Sequence, residues 1–386
     1  MQNSGHETDN RHAKSVSWQS LILLLLLSCS RPASPPALQQ GLLNLGDTLS
    51  LGLGRYPGAE RLVVYSPGED RYVNNALLCR FKGEYYCMWQ SSLRDEDSPD
   101  THVMYAISDD GRLWREPVLL ASATPHCFVS PGGWIQRGDS LAAVLNYVNA
   151  VDRSEGGTAK YIVTHDGRNW TEPRCMRMAD GSAVDGIFEQ DPLLLPGGRT
   201  LGAVHFRPGL QLCPVWTDSS SALCGWSRGE FPEGDGKPLE PSQFRMPDGS
   251  LVLLMRDQAS SFRKLFSVSE DGGRSWTAPA LTEIPDSRSK QCAGNLPDGS
   301  CFMVWNPAVN KSRRALVIAF SEDGKAFDRA FLIAGPADLP VRQFDGKYKT
   351  LGYNYPKAFV DHDVLWISLS ENKEAAVLFR LPAIRL

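Results

Sequence analysis

Ser269-Glu270-Asp271-Gly272-Gly273-Arg274-Ser275-Trp276 decides the fold, because the chain repeats it. Ser108-Asp109-Asp110-Gly111-Arg112-Leu113-Trp114 and Thr164-His165-Asp166-Gly167-Arg168-Asn169-Trp170 precede it, and Ser321-Glu322-Asp323-Gly324-Lys325-Ala326-Phe327 follows. The aspartates Asp110, Asp166, Asp271 and Asp323 stand 56, 105 and 52 residues apart. The middle gap is two periods, with a degenerate copy expected between Thr217-Asp218 and Trp226. A fixed period of about 50 residues signals a propeller or a solenoid. Each copy has the chemistry of a hairpin turn: the carboxylate can accept backbone N–H groups, glycine supplies a positive φ, and the aromatic ring packs into the neighbouring element.

Working outward, a strand-like run precedes the copies, as in Thr101–Ile107 and Ala315–Phe320. A second turn, Leu/Met-Pro-Asp-Gly-Ser, recurs at 246–250 and 296–300, with Leu195-Pro196-Gly197-Gly198 as a relative. Two turn types alternating at half the period predict blades of four strands. No segment beyond the N-terminal leader shows helical periodicity. The length gives six blades with some chain left over, or seven only with short end blades. Ala375–Leu381 should complete a blade begun by an N-terminal strand and so close the ring.

Composition agrees with this class. Of 386 residues, 42% are hydrophobic and 22% charged, which excludes wholesale disorder. The 34 Gly, 26 Pro, 10 Trp and 11 Tyr favour a turn-rich β protein. A net charge of −4 offers no basic excess for a phosphate backbone, so no nucleic-acid partner is expected.

Residues 21–27 read Leu-Ile-Leu-Leu-Leu-Leu-Leu, too short for a bilayer span but the length of a signal-peptide core after Arg11, His12 and Lys14. It ends in Leu26-Leu27-Ser28-Cys29, which resembles a bacterial lipobox. The expectation is an exported lipoprotein, periplasmic or at the cell surface, anchored through lipidated Cys29. Residues 1–29 would be the signal peptide, 30–44 a tether and 45–386 the folded domain. Eight cysteines remain, without metal-ligand spacing, so no metal is expected. Cys79/Cys87 and Cys213/Cys224 could pair or remain thiols.

The four repeats resemble the Asp boxes of the sialidase-like propellers. The resemblance implies an all-β, six-bladed β-propeller of four-stranded antiparallel blades, with the box aspartates as turn residues and not catalysts. Glu240-Pro241-Ser242-Gln243-Phe244-Arg245-Met246-Pro247-Asp248-Gly249-Ser250, running on to Arg256, is similar to the sialidase segment holding a catalytic glutamate and a substrate-binding arginine. Gln291-Cys292-Ala293-Gly294, Asn306-Pro307 and Ser312-Arg313-Arg314 continue the likeness, which makes Arg313 or Arg314 a second substrate arginine. Gly352-Tyr353-Asn354-Tyr355-Pro356 lies where the family places its nucleophilic tyrosine. Tyr353 and Tyr355, two apart on a strand, should face the same side. A nearby glutamate must take the phenol's proton, since a phenol of pKa about 10 is otherwise a poor nucleophile. In Arg94-Asp95-Glu96-Asp97-Ser98-Pro99-Asp100, Asp97 and then Asp100 are the candidate acid/base. The first blade departs from the family: Arg71-Tyr72-Val73-Asn74-Asn75 has no arginine where a carboxylate clamp expects one, and Asn74 and Asn75 suit sugar hydroxyls instead.

The reading implied is an exported sialidase-like glycoside hydrolase that removes a terminal acidic sugar from oligosaccharide or polysaccharide glycans. It would work by a retaining Tyr/Glu mechanism, without cofactor. The rivals are a propeller polysaccharide lyase acting on uronate through a His or Tyr base and an arginine, with His126, His205 and His362 available and His165 disfavoured inside a box turn, and a non-catalytic glycan-binding lipoprotein.

Overall fold

In the computed structural model, residues 34–152 and 156–382 are described. The leader and the lipobox Cys29 lie outside them. The chain forms six antiparallel sheets arranged as the blades of a propeller. Blade 1 contains Tyr72–Phe81, Glu84–Ser92, His102–Ser108 and Val118–Ala121. Blade 2 contains Cys127–Arg137, Ser140–Asn149, Gly157–Thr164 and Arg174–Cys175. Blade 4 contains Pro238–Arg245, Leu251–Asp257, Arg263–Ser269 and Ala280–Pro285. Blade 5 contains Cys292–Asn295, Cys301–Trp305, Leu316–Ser321 and Arg329–Ala334. Blade 3 departs slightly: its first strand is split into Gly186–Phe188 and Leu193–Leu194, both paired with Thr200–Phe206, and Gln211–Thr217 and Ser227–Arg228 complete it. The split places Glu189 off the sheet.

Blade 6 takes Tyr353–Asp361, Val364–Glu371 and Ala375–Pro382 from the end of the chain. Its outermost strand is Glu60–Tyr65 from the beginning, paired antiparallel from Glu60↔Arg380 to Tyr65↔Ala376. The expected ring closure is therefore present. The stretch expected to be a tether is in part docked. Ala37–Leu38 pair in parallel with Ala326–Phe327 at the edge of blade 5, because that edge offers unpaired backbone groups to the passing chain.

The core lies between blades. One apolar cluster joins blades 5 and 6 through Val304, Ile318, Ile367 and Val377; another joins blades 1 and 2 through Leu77, Met88, Val129 and Leu141. The boxes serve this packing. Each aspartate accepts two backbone N–H groups, as Asp110 does from Arg112 and Leu113 at 2.8 and 3.0 Å, and Asp323 from Lys325 and Ala326 at 2.7 and 2.9 Å. The box glycine also abuts the preceding blade. Gly111 has φ +73°, and a Cβ there would come 2.7 Å from the Trp366 ring of blade 6. In the degenerate box of blade 3, Asp218 turns away to Arg199 (2.7 Å) and the Thr217 hydroxyl accepts the Ser219 N–H instead.

The eight cysteines from Cys79 to Cys301 are all free thiols. No helix among the described residues is long and apolar enough to cross a membrane.

Candidate active site

The first strand of each blade lines the axis, and, besides the slip between Pro131 and Gly133 in blade 2, three of these strands carry a bulge at the same end. The ladders slip between Asn74 and Leu77, between Leu239 and Ser242, and between Asn354 and Lys357. A bulge re-aims side chains and often sits beside a functional site. Asn75, Glu240 and Tyr355 occupy these bulges with φ of 54°, 49° and 58°. A positive φ in residues other than glycine is strained, and such strain gathers at sites of function. All three line one cavity of about 630 Å³, together with Glu96, Asp97, Glu189, Arg256, Arg288, Arg313 and Lys373.

At its centre the Tyr355 hydroxyl donates to Glu240 Oε1 at 2.5 Å. Arg256 Nη1 donates to Glu240 Oε2 at 2.8 Å, and Arg256 Nη2 to Gln258 Oε1 at 2.6 Å. The strained Glu240 backbone is held from below: its N–H donates to His205 Nε2 at 3.1 Å, and its carbonyl accepts from Gln291 Nε2 at 2.9 Å. Burial alone would raise the Glu240 pKa, but the Arg256 and Lys290 charges and the Tyr355 hydroxyl outweigh it and hold the carboxyl well below the usual range. Burial pushes the Tyr355 phenol far up, and Glu240 and Glu96 push it further. The resting pair is thus carboxylate and phenol. Lys290, Lys373 and Arg313 stand 5.0, 5.6 and 5.8 Å from the Tyr355 ring centroid, placed to stabilise a phenolate once the proton moves to Glu240. The transfer relocates one negative charge and creates none.

Around this centre the sequence candidates divide. Asp97 faces the cavity and accepts from Gln90 Nε2 at 3.1 Å. Asp100 does not: it is exposed, staples its own loop by accepting the Leu93 N–H at 2.8 Å, and lines a different hollow with His102. Arg313 reaches the cavity and donates to Asn354 Oδ1 at 3.0 Å, whereas Arg314 is exposed on the outside. Tyr355 is in the site and Tyr353 is not. Tyr353 is fully buried in the cluster between blades 5 and 6, its hydroxyl donating to the Gly335 carbonyl at 3.1 Å. The bulge between them breaks the two-residue alternation that would have put both on one side. Asn75 lines the cavity, anchored by its donation to the Pro131 carbonyl at 2.9 Å. Asn74 instead accepts from Ser370 Oγ of blade 6 at 2.8 Å and is a contact between blades.

Sequence reasoning missed several charged groups. Lys290 pairs with Glu189 at 2.5 Å and Lys373 with Glu96 at 2.5 Å. Arg288 donates through Nε to Gln258 Oε1 at 3.2 Å. These residues come from loops and the split strand, where no periodicity marks them. One signal was present: Glu240 and Tyr355 each precede a proline, a parallel that singles out Tyr355 over Tyr353. Among the described residues no three His, Cys, Asp or Glu side chains group as metal ligands.

Comparison with known proteins agrees with this architecture. The family described as BNR repeat-like domain matches residues 83–367. No curated protein matches the chain. Among solved structures, a sialidase superposes with a TM-score of 0.66 at 18% identity, over 90% of this chain and 35% of its own. This chain thus spans about a third of that sialidase. A protein of unknown function from Dyadobacter fermentans has a TM-score of 0.66 at 16% identity, covering 85% of this chain and 100% of its own. The intramolecular trans-sialidase from Ruminococcus gnavus gives 0.60 at 13%, covering 86% and 98%. At these identities the likeness shows the fold.

Proposed function

The chain belongs to the BNR repeat-like domain family, built as a sialidase-like propeller, and from that premise we propose that it is a retaining glycoside hydrolase that removes a terminal acidic sugar from glycans. The observation that carries the reading is the continuous hydrogen-bonded series Tyr355–Glu240–Arg256 inside a cavity of monosaccharide scale. Tyr355 attacks the anomeric carbon as its proton passes to Glu240. Asp97 protonates the leaving oxygen, then deprotonates the water that releases the sugar. A tyrosine nucleophile replaces the second carboxylate of the usual scheme. An uncharged nucleophile paired with its own base suits an acidic substrate, which a bare carboxylate would repel. A histidine-based lyase is less well supported: among the described residues no histidine lines the cavity, and His205 is buried against the Glu240 backbone. We propose further that Cys29 carries a lipid anchor after export.

The test is to incubate a soluble form with aryl glycosides of acidic and neutral sugars and follow the first-formed anomer by NMR. Release of the same anomer as the substrate supports the reading. Inversion, or an unsaturated product absorbing in the ultraviolet, would overturn it.

A further inference from the structure

The cations in and behind the cavity are not equally committed. Arg256 is met by Glu240, Lys290 by Glu189 and Lys373 by Glu96. Arg288 and Arg313 meet neutral acceptors: Gln258 Oε1 for Arg288 Nε at 3.2 Å, and Asn354 Oδ1 and the Arg288 carbonyl for Arg313 Nη1 and Nη2 at 3.0 and 3.4 Å. Among the described residues Arg288 Nη1 and Nη2 have no hydrogen-bond partner, and the side chain lines the cavity. Both side chains line the cavity, Arg313 reaching the Arg288 backbone, and two guanidinium groups sharing a cavity without a counter-charge favour an anion between them.

The backbone supports the same conclusion. Arg288 has φ +57°, left-handed and unfavourable for a long side chain. Its neighbours Asp286, Ser287, Ser289 and Lys290 are all buried and tied down. The Ser287 N–H donates to the Asn306 carbonyl at 3.1 Å, Ser289 Oγ to Asn306 Oδ1 at 2.9 Å, and Lys264 Nζ to the Ser289 carbonyl at 2.9 Å. The loop is thus over-determined around one strained residue, and that residue alone emerges into the cavity. Gln258 grips Arg256 and Arg288 through the same oxygen, fixing the Arg288 fork by its Nε and leaving the two-nitrogen end outward.

We infer that Arg288 is a substrate-binding, specificity-determining residue that, beside Arg313, holds the carboxylate of the terminal sugar. It supplies from the entry to blade 5 a guanidinium that the first blade does not provide. This rests on the cavity being the substrate site, as proposed above.

The experiment uses the whole chain in four forms: wild type, Arg288→Gln, Arg288→Lys and, as an outside control, Arg314→Gln. Calorimetry measures binding of N-acetylneuraminic acid and D-galacturonic acid, each beside its carboxamide, and hydrolysis of the matching glycosides is followed separately. Wild type should prefer at least one acid over its amide. Arg288→Gln should weaken that acid by about tenfold or more while leaving the amide unchanged. Arg288→Lys should restore part of the difference, and Arg314→Gln should change nothing. If Arg288→Gln misfolds, Arg288→Gly, which accepts the left-handed backbone, carries the same comparison. Equal affinity of wild type for acid and amide overturns the inference, as does an equal loss of both in the variant. Discrimination without hydrolysis would sink the hydrolase reading and leave Arg288 standing. Hydrolysis confined to neutral sugars would do the reverse.

Discussion

Replacing Glu240 by glutamine removes one charge and almost no volume, so it isolates the electrostatics of the site. The Arg256–Glu240 contact of 2.8 Å joins two side chains that are 12% and 9% exposed. At an effective dielectric constant of about 20, their gross attraction is about 6 kcal/mol. The amide still accepts a hydrogen bond, and desolvation of the carboxylate is relieved, so the net loss should be about 2–4 kcal/mol, somewhat below the roughly 3–5 kcal/mol usual when one buried partner is orphaned. Over a propeller of this size, that lowers Tm by about 3–5 °C. The Glu240 pKa is depressed in the folded chain, so its contribution is fully present above the unfolded carboxyl pKa and is lost as pH falls through the folded one. Melting curves of wild type and Glu240→Gln should therefore separate at neutral pH and converge in acid. Glu240→Gln combined with Arg256→Gln should recover much of the loss, because no bare guanidinium remains. Hydrolysis should fall by about 10²–10⁴-fold, since an amide cannot take the Tyr355 proton. A Glu240→Gln chain that melts like wild type and keeps its rate would refute the argument.

Other outcomes follow from the same geometry. Tyr355→Phe should abolish hydrolysis with a near-normal Tm, while Tyr353→Phe should keep its rate and lose about 1 kcal/mol in urea unfolding, since the Gly335 carbonyl loses the phenol but keeps the Asp338 N–H. Asp100→Asn and Arg314→Gln should leave kcat/KM within about twofold in the same glycoside assay, as ordinary surface changes do. Burial lowers the His205 pKa, so below about pH 6.5 the unfolded chain takes up a proton that the folded chain resists; wild type should lose stability from there downward, and His205→Gln should show a flatter profile in melts at pH 5 to 7. Gly111→Ala should cost about 2 kcal/mol or more by denaturant titration, since its methyl group meets the Trp366 ring at a left-handed position.

The architecture was legible in sequence because it rests on turns whose chemistry is local. Asp110 and Asp323 act within three residues of themselves, so their spacing reports the blades directly. Glu240, Arg256 and Asp97 were found through motifs adjoining such turns. Arg288, Lys290 and Lys373 were not, because they emerge from connections without a period and acquire meaning only when partners from other blades arrive. The two tyrosines show the limit most clearly. Alternation along a strand is a rule for regular ladders, and the slip between Asn354 and Lys357 cancels it at the one position where it would have decided which tyrosine faces the cavity.

Pairing of Glu60–Tyr65 with Ala375–Pro382 has a consequence for biogenesis. Joining segments roughly 320 residues apart costs about 5 kcal/mol of chain entropy, against a fraction of that for the hairpins within a blade. While the chain is being synthesised, the first five blades can stack only into an open crescent with both flanks bare. The final seam must wait for Ala375–Pro382 to emerge. Until then Tyr355 has no fixed place opposite Glu240, so a nascent or C-terminally clipped chain would carry most of the scaffold without the Tyr355–Glu240 hydrogen bond.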